Sequence, residues 1–123
     1  MKASEVRLGN WVMGNKPYQI NMSQFVTMQY NENIGLPEYF EPIEITEEWL
    51  IKFGFKYKHE PSYDQYYQLG FFAYCMQTES ARILNLDWVC ITTFDYPIKY
   101  VHQLQNIYHA IYGKELIART QNK

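Results

Sequence analysis

Ile45-Thr46-Glu47-Glu48-Trp49-Leu50-Ile51-Lys52-Phe53-Gly54-Phe55 is the stretch in which the start, the buried face and the end of one element are all encoded locally. Thr46 is suited to cap a helix, because its side-chain oxygen can accept a hydrogen bond from an unpaired first-turn N–H. Glu47 and Glu48 then sit at the positive end of the helix dipole. Ile45 and Leu50 have the spacing of a hydrophobic staple, which fixes the angle at which the chain enters the helix. Gly54 lacks a Cβ and can take the left-handed conformation that closes a helix, with Phe55 folding back on Leu50. The product is a two-turn helix with a Trp49/Leu50/Phe53 face, too short to be stable alone. It reads as a joint between two parts of one domain spanning residues 1–123, with residues 1–45 before the 46–54 helix and residues 55–123 after it.

Upstream of the joint, short β-rich runs alternate with turns. Val6-Arg7-Leu8 runs into Gly9-Asn10, Trp11-Val12-Met13 follows, and Gly14-Asn15-Lys16-Pro17 turns the chain before Tyr18-Gln19-Ile20. Phe25 to Tyr30 is rich in β-formers, Asn31 to Pro37 reads as a polar loop, and Phe40 to Ile45 alternates, with Pro42 restricting that strand to an edge. These features predict a small, strongly bent, SH3-like sheet. Downstream, Phe55–Lys58, Tyr66–Leu69, Phe71–Gln77 and Trp88–Phe94 are strand candidates in an antiparallel meander, while the path from Arg82 to Asp87 has no clear signal. A last helix is predicted from Pro97–Tyr100 to Tyr112, stopped by Gly113, with Val101, Leu104, Ile107/Tyr108 and Ile111 as its buried stripe against the sheet. The fold class expected is therefore α+β: an SH3-like sheet, a linking helix, and a meander closed by one helix.

Composition narrows the function classes. The 123 residues are 47% hydrophobic, enough for a real core, and 11 Lys+Arg against 13 Asp+Glu give a formal charge of −2. That balance lacks the basic field that backbone binding to nucleic acid requires. No apolar run is long enough to span a membrane and no signal-peptide pattern is present, so a cytoplasmic protein without a membrane partner is expected. Cys75 and Cys90 each lie in an apolar run and read as small buried hydrophobes rather than a disulfide. The aromatic content is 18%, with 12 Tyr, 7 Phe and 3 Trp. Tyrosine favours half-buried surfaces, so it fits both ordinary strands and a binding surface.

Two groups of residues are candidates for binding. His102, Gln105, Asn106 and His109 lie three, four and seven apart and form one uncharged polar stripe on the last helix. The two histidines are about 10 Å apart along the axis, too far to share a metal. The stripe can bond a ligand, or it can cap neighbouring loop carbonyls. Arg82 falls between strand-like runs with Trp88, Tyr74 and Tyr66 nearby in sequence; a guanidinium fork among aromatic faces suits a phosphate beside a base, and the plainer alternative is a solvated turn residue. No catalytic residues are readable. Ser4, Ser23, Ser62 and Ser80 lack an elbow motif, no Gly-rich phosphate loop or Cys/His metal framework occurs, and Asp64, Asp87 and Asp95 read as turn formers. No cofactor is expected.

Val6-Arg7-Leu8-Gly9-Asn10-Trp11-Val12, the Ile45–Phe55 stretch, and Lys99-Tyr100-Val101-His102-Gln103-Leu104-Gln105-Asn106-Ile107-Tyr108 with Gly113-Lys114-Glu115-Leu116 together resemble a family of small uncharacterised proteins of Bacteroidetes, their phages and mobile elements. His109 stands where the family pattern has an aromatic, and no family motif falls between Tyr57 and Pro97. The resemblance implies a phage or mobile-element accessory protein. One such class sequesters nucleotide-derived immune signals of the host, which makes a nucleotide-like molecule the first candidate ligand and a homo-oligomer a natural way to complete its pocket. A protein-interaction module with a host partner is the alternative, and a small nucleotide hydrolase comes third.

Overall fold

A computed structural model describes residues 6–33, 41–58, 66–76, 78–84, 90–93 and 97–118. In chain order the elements are β1 (Trp11–Met13), β2 (Pro17–Gln19), α1 (Met22–Asn33), α2 (Glu47–Lys52), β3 (Lys56–Lys58), β4 (Tyr66–Leu69), β5 (Phe72–Cys75), β6 (Ser80–Leu84), β7 (Cys90–Thr93) and α3 (Val101–Tyr112). This is an α+β fold with a two-stranded and a five-stranded antiparallel sheet. The chain forms two compact units: Met1–Glu44 with Tyr100–Glu115, and Ile45–Lys99 with Leu116–Lys123.

In the first unit, β1 and β2 form the expected hairpin, with Val12 opposite Tyr18, and Val12 fully buried. The run before it is not a strand. Residues 7–10 form a turn, closed by the Asn10 N–H donating to the Arg7 carbonyl at 3.1 Å, with Gly9 at φ +87°. That positive φ at the third turn position is what glycine permits.

Residues 25–30, predicted as strand, are helical. Asn21 and Gln24 form a reciprocal cap: the Gln24 N–H donates to Asn21 Oδ1 at 2.8 Å and the Asn21 N–H to Gln24 Oε1 at 2.9 Å. Two first-turn donors are thereby satisfied, and Phe25 and Met28, three apart, pack with Val6, Val12 and Ile20. Capping and three-residue periodicity override the β preference of Phe25, Val26 and Thr27; the Thr27 hydroxyl bonds back to the Ser23 carbonyl at 3.0 Å. Among the described residues the N-terminal part is thus a hairpin with a helix rather than the strands of an SH3-like sheet, and Asn31 to Asn33 belong to α1 rather than to a loop. Of the expected Phe40–Ile45 strand, Phe40 lies outside the described residues and the rest makes isolated bridges, Met13 with Glu41 and Glu44 with Tyr100.

Helix α3 groups with this first unit, whereas the sequence pattern assigns it to the meander. Its limits are as expected: the Tyr100 N–H donates to Gln103 Oε1 at 3.1 Å, and Gly113 ends the helix at φ +67°. Val101, Leu104 and Ile107 form its buried stripe.

The second unit begins with α2, built as its sequence dictates. Thr46 accepts from the Trp49 N–H, and the far end closes with the Gly54 N–H on the Ile51 carbonyl and the Phe55 N–H on the Leu50 carbonyl, both at 2.9 Å. Gly54 has φ +94°, and this pair of bonds is the six-to-one and five-to-two pattern that terminates helices at glycine.

The meander runs β3-β4-β5-β6-β7. β6, which runs from Ser80 into the Arg82–Asp87 stretch without a clear signal, is the strand the sequence hides; an irregularity at Ile83/Leu84 shifts its register against β7. By alternation, Tyr57, Tyr67, Leu69, Phe72, Tyr74, Ala81 and Ile83 share one face of β3–β6. The α2 region meets that face: the Tyr67 hydroxyl donates to Glu47 at 2.7 Å, and the Phe55 and Phe72 rings pack edge to face at 6.0 Å. The Tyr74 hydroxyl donates to the Ile98 carbonyl, which ties the segment before α3 to the same face.

Gly54→Ala forces a side chain into the left-handed region and is expected to cost about 1 kcal/mol or more, and Thr46→Ala about 1 kcal/mol, both read from denaturant midpoints. Burial, then the bond to Glu47 and its charge, raise the Tyr67 phenol to about 12 from its ordinary 10.0. Its contribution to stability is therefore complete below pH about 10 and is lost as pH rises through about 12. Thermal midpoints recorded across that window should fall more steeply for the wild type than for Tyr67→Phe; parallel curves would contradict the assignment.

Candidate functional site

Among the described residues, a cluster of polar bonds forms where α3 meets the turn before β1. Gln105 projects from the middle of α3 and is fully buried. Its Oε1 accepts from the Trp11 N–H at 2.8 Å and its Nε2 donates to the Gly9 carbonyl at 3.0 Å. The two backbone partners are unambiguous in kind, so they fix the orientation of the amide. The Gly9 carbonyl also accepts from Gln19 Nε2 at 3.1 Å. Asn10, equally buried, accepts from the Arg7 N–H on Oδ1 at 2.8 Å and donates from Nδ2 to Asn106 Oδ1 at 2.9 Å.

Arg7 completes the brace. Its guanidinium donates to the Gln105 carbonyl at 3.1 Å and to both oxygens of Glu115, one of them at 3.2 Å. His109 Nε2 lies 3.8 Å from the same carboxylate, an ion pair when the imidazole is protonated. His102 is buried and its ring stacks on Tyr100 at 6.0 Å with an interplanar angle of 9°. Of the predicted polar stripe, Gln105 and Asn106 are thus engaged with the 7–11 turn, His102 with Tyr100, and His109 stands half-exposed beside Glu115.

The second predicted group divides between the two faces of the meander. Arg82 lies within β6 as a partly buried strand residue, opposite Ala73, and is not a turn residue. Gln68 is opposite Ala73 on the other side and Lys56 opposite Gln68, so Lys56, Gln68, Ala73 and Arg82 form one row across the sheet. Tyr66 shares that face, two residues along β4 from Gln68. Tyr74 stands on the opposite face with its hydroxyl on the Ile98 carbonyl, and burial raises its pKa. Trp88 lies outside the described residues, as do Asp64, Asp87 and Asp95. Cys75 is a free, buried thiol on β5. Among the described residues no three His, Cys, Asp or Glu side chains gather as a metal site would require, and no helix is long and apolar enough to cross a membrane.

No family model, curated protein or solved structure matches the chain.

Sequence spacing misses the partners of the stripe. Arg7 and Asn10 lie 98 and 96 positions from Gln105 and Asn106, although Gly9-Asn10 ahead of a strand marks a turn whose backbone groups need partners. Gln105→Leu keeps the volume but leaves the part-buried Trp11 N–H and one bond to the Gly9 carbonyl unmade, so a loss of about 2 kcal/mol is expected in denaturant unfolding. His109→Ala, at a half-exposed position, should change stability by less than about 1 kcal/mol in the same measurement.

Proposed function

We propose that the protein is a non-enzymatic binding protein whose working contact is with another protein. The support comes from α1. Met22, Val26 and Tyr30 recur every four residues along one side of the helix and are 61%, 56% and 62% exposed, while Phe25 and Met28 on the other side pack into the core. An apolar stripe held outward on a helix capped at its N-terminus is the surface by which helices enter apolar grooves. The polar residues most suggestive of chemistry are engaged in internal bonds instead. Affinity capture with the wild type should retain a stoichiometric protein partner, at least tenfold less of which is held by a Val26→Lys, Tyr30→Lys variant of unchanged circular dichroism. Equal capture by both would overturn the proposal.

A second reading concerns a nucleotide-like ligand on the Arg82 side of the meander. The register favours it, because Arg82 and Tyr66 share a face with their Cα atoms about 12 Å apart across Ala73 and Cys75, a span that a phosphate and a base can bridge. On this reading the protein is a phage or mobile-element accessory protein that sequesters a nucleotide-derived immune signal in the cytoplasm, as the family resemblance implies. Incubation with cyclic nucleotides and ADP-ribose derivatives, followed by heat release, separates the cases. Intact ligand recovered from the wild type and lost with Arg82→Ala and Tyr66→Ala supports sequestration; released product indicates a hydrolase; no thermal shift across the panel removes the ligand.

A further inference from the structure

We infer that the Arg82 side of the meander holds a site for a phosphate group, gripped by the Arg82 guanidinium and neutralised further by Lys56. The inference is independent of α1; it rests on the ligand reading of this face and deepens it by naming the group that is held. Three observations carry it.

The first is an arginine without an acceptor. Arg82 lies on β6, an interior strand paired with β5 through Ala73 and with β7 through Thr93, and it is partly buried. Among the described residues it makes no hydrogen bond and no ion pair. Arg7 shows what such a fork ordinarily finds, with Glu115 and the Gln105 carbonyl both engaged. A guanidinium keeps its charge throughout the pH range of a folded protein, so partial burial without an acceptor costs free energy that an arriving anion recovers.

The second is the placement of charge on the sheet. Lys56, Gln68, Ala73 and Arg82 form one row, and the face of β3–β6 that carries it holds no carboxylate among the described residues. The chain as a whole is acidic, at −2, yet Glu47 and Glu79 act on the other side of the sheet: Glu47 accepts from Tyr67, and the charge of Glu79 bears on Tyr74. Cations are thus segregated to one face, where no internal carboxylate competes for an incoming anion.

The third is spacing. Neighbouring strands lie about 4.8 Å apart, so the Lys56 and Arg82 Cα atoms are separated by three such steps, roughly 14 Å, and each long side chain covers about half of that span. Ala73 and Cys75, on the same face, are only 2% and 1% exposed, so Arg82 borders a region closed to water. A bidentate guanidinium–oxyanion pair is stronger there than on an open surface. Two cations match a phosphate group, which carries nearly two charges at neutral pH, better than a carboxylate, which carries one.

Isothermal titration of the full chain in phosphate-free buffer with inorganic phosphate, adenosine 5′-monophosphate and acetate tests this. Inorganic phosphate should bind one to one, and acetate at least tenfold more weakly. Arg82→Ala should weaken phosphate binding at least tenfold. Arg82→Lys, which keeps the charge but loses the fork, and Lys56→Ala should each weaken it several-fold, while Lys16→Ala, which removes an exposed charge from the β1–β2 turn, should leave it unchanged. Without phosphate, Arg82→Leu should raise the thermal midpoint, because it removes an uncompensated charge. Added phosphate should raise the midpoint of the wild type and not of that variant. No phosphate bound at millimolar concentration, equal binding by Arg82→Ala, or an Arg82→Leu variant that is less stable or fails to fold would overturn the site. Phosphate bound as tightly as the nucleotide would support the site while removing a base contact at Tyr66. A nucleotide held independently of Arg82, with phosphate unbound, would overturn the phosphate site alone and leave a ligand on this face.

Discussion

The carboxamide of Gln105 holds the first unit together, because it joins the middle of α3 to two backbone groups at the entry to β1 with both of its polar atoms. A turn that leads into a three-residue strand has few ways to satisfy its own N–H and C=O groups, and burial makes each unsatisfied one costly. The Gly9 carbonyl and Trp11 N–H lie on either side of Asn10, whose own side chain bonds backward to Arg7 and outward to Asn106. Arg7 then reaches past the turn to the Gln105 carbonyl and to Glu115 beyond the helix end. Ion pairing at that exposed end contributes little by itself; the buried amides set the geometry and the charges extend it.

The second unit solves a related problem with phenols. A sheet face lined by tyrosines can be covered only if each hydroxyl finds an acceptor, and Tyr67 uses Glu47 while Tyr74 uses the Ile98 carbonyl. Each bond also specifies which segment covers the face. The high tyrosine content thus has structural employment in these two residues at least, and the opposite face, with Lys56, Gln68 and Arg82 in one row, carries the polar character.

Legibility from sequence followed the range of the interactions. α2 was fully legible because its cap, staple and terminating glycine all lie within eleven consecutive residues, and α3's limits were legible for the same reason. α1 was hidden by β-forming residues, although the Asn21/Gln24 cap and the Phe25/Met28 spacing were present to be weighed against them. β6 was hidden because Arg82 and Ser80 break its apolar pattern and its pairing depends on β5. For the candidate residues, helical spacing correctly put Gln105 and Asn106 on one side of α3, but their partners lie about a hundred positions away in the chain, beyond what any local pattern encodes. Face assignment in the meander likewise depended on register: Arg82 and Tyr66 fall together and Tyr74 apart, a distinction that sequence proximity does not make.

The measurement closest to the centre of this account is amide hydrogen exchange at Trp11. Its N–H is held by the Gln105 side chain, not by the β1–β2 ladder, so protection there reports the brace directly. The account predicts that the Trp11 amide exchanges as slowly as the ladder amides in the wild type and that Gln105→Ala accelerates it selectively, by at least tenfold, while amides of the meander are unchanged. Fast exchange at Trp11 in the wild type, or slow exchange that Gln105→Ala leaves unaltered, would contradict it.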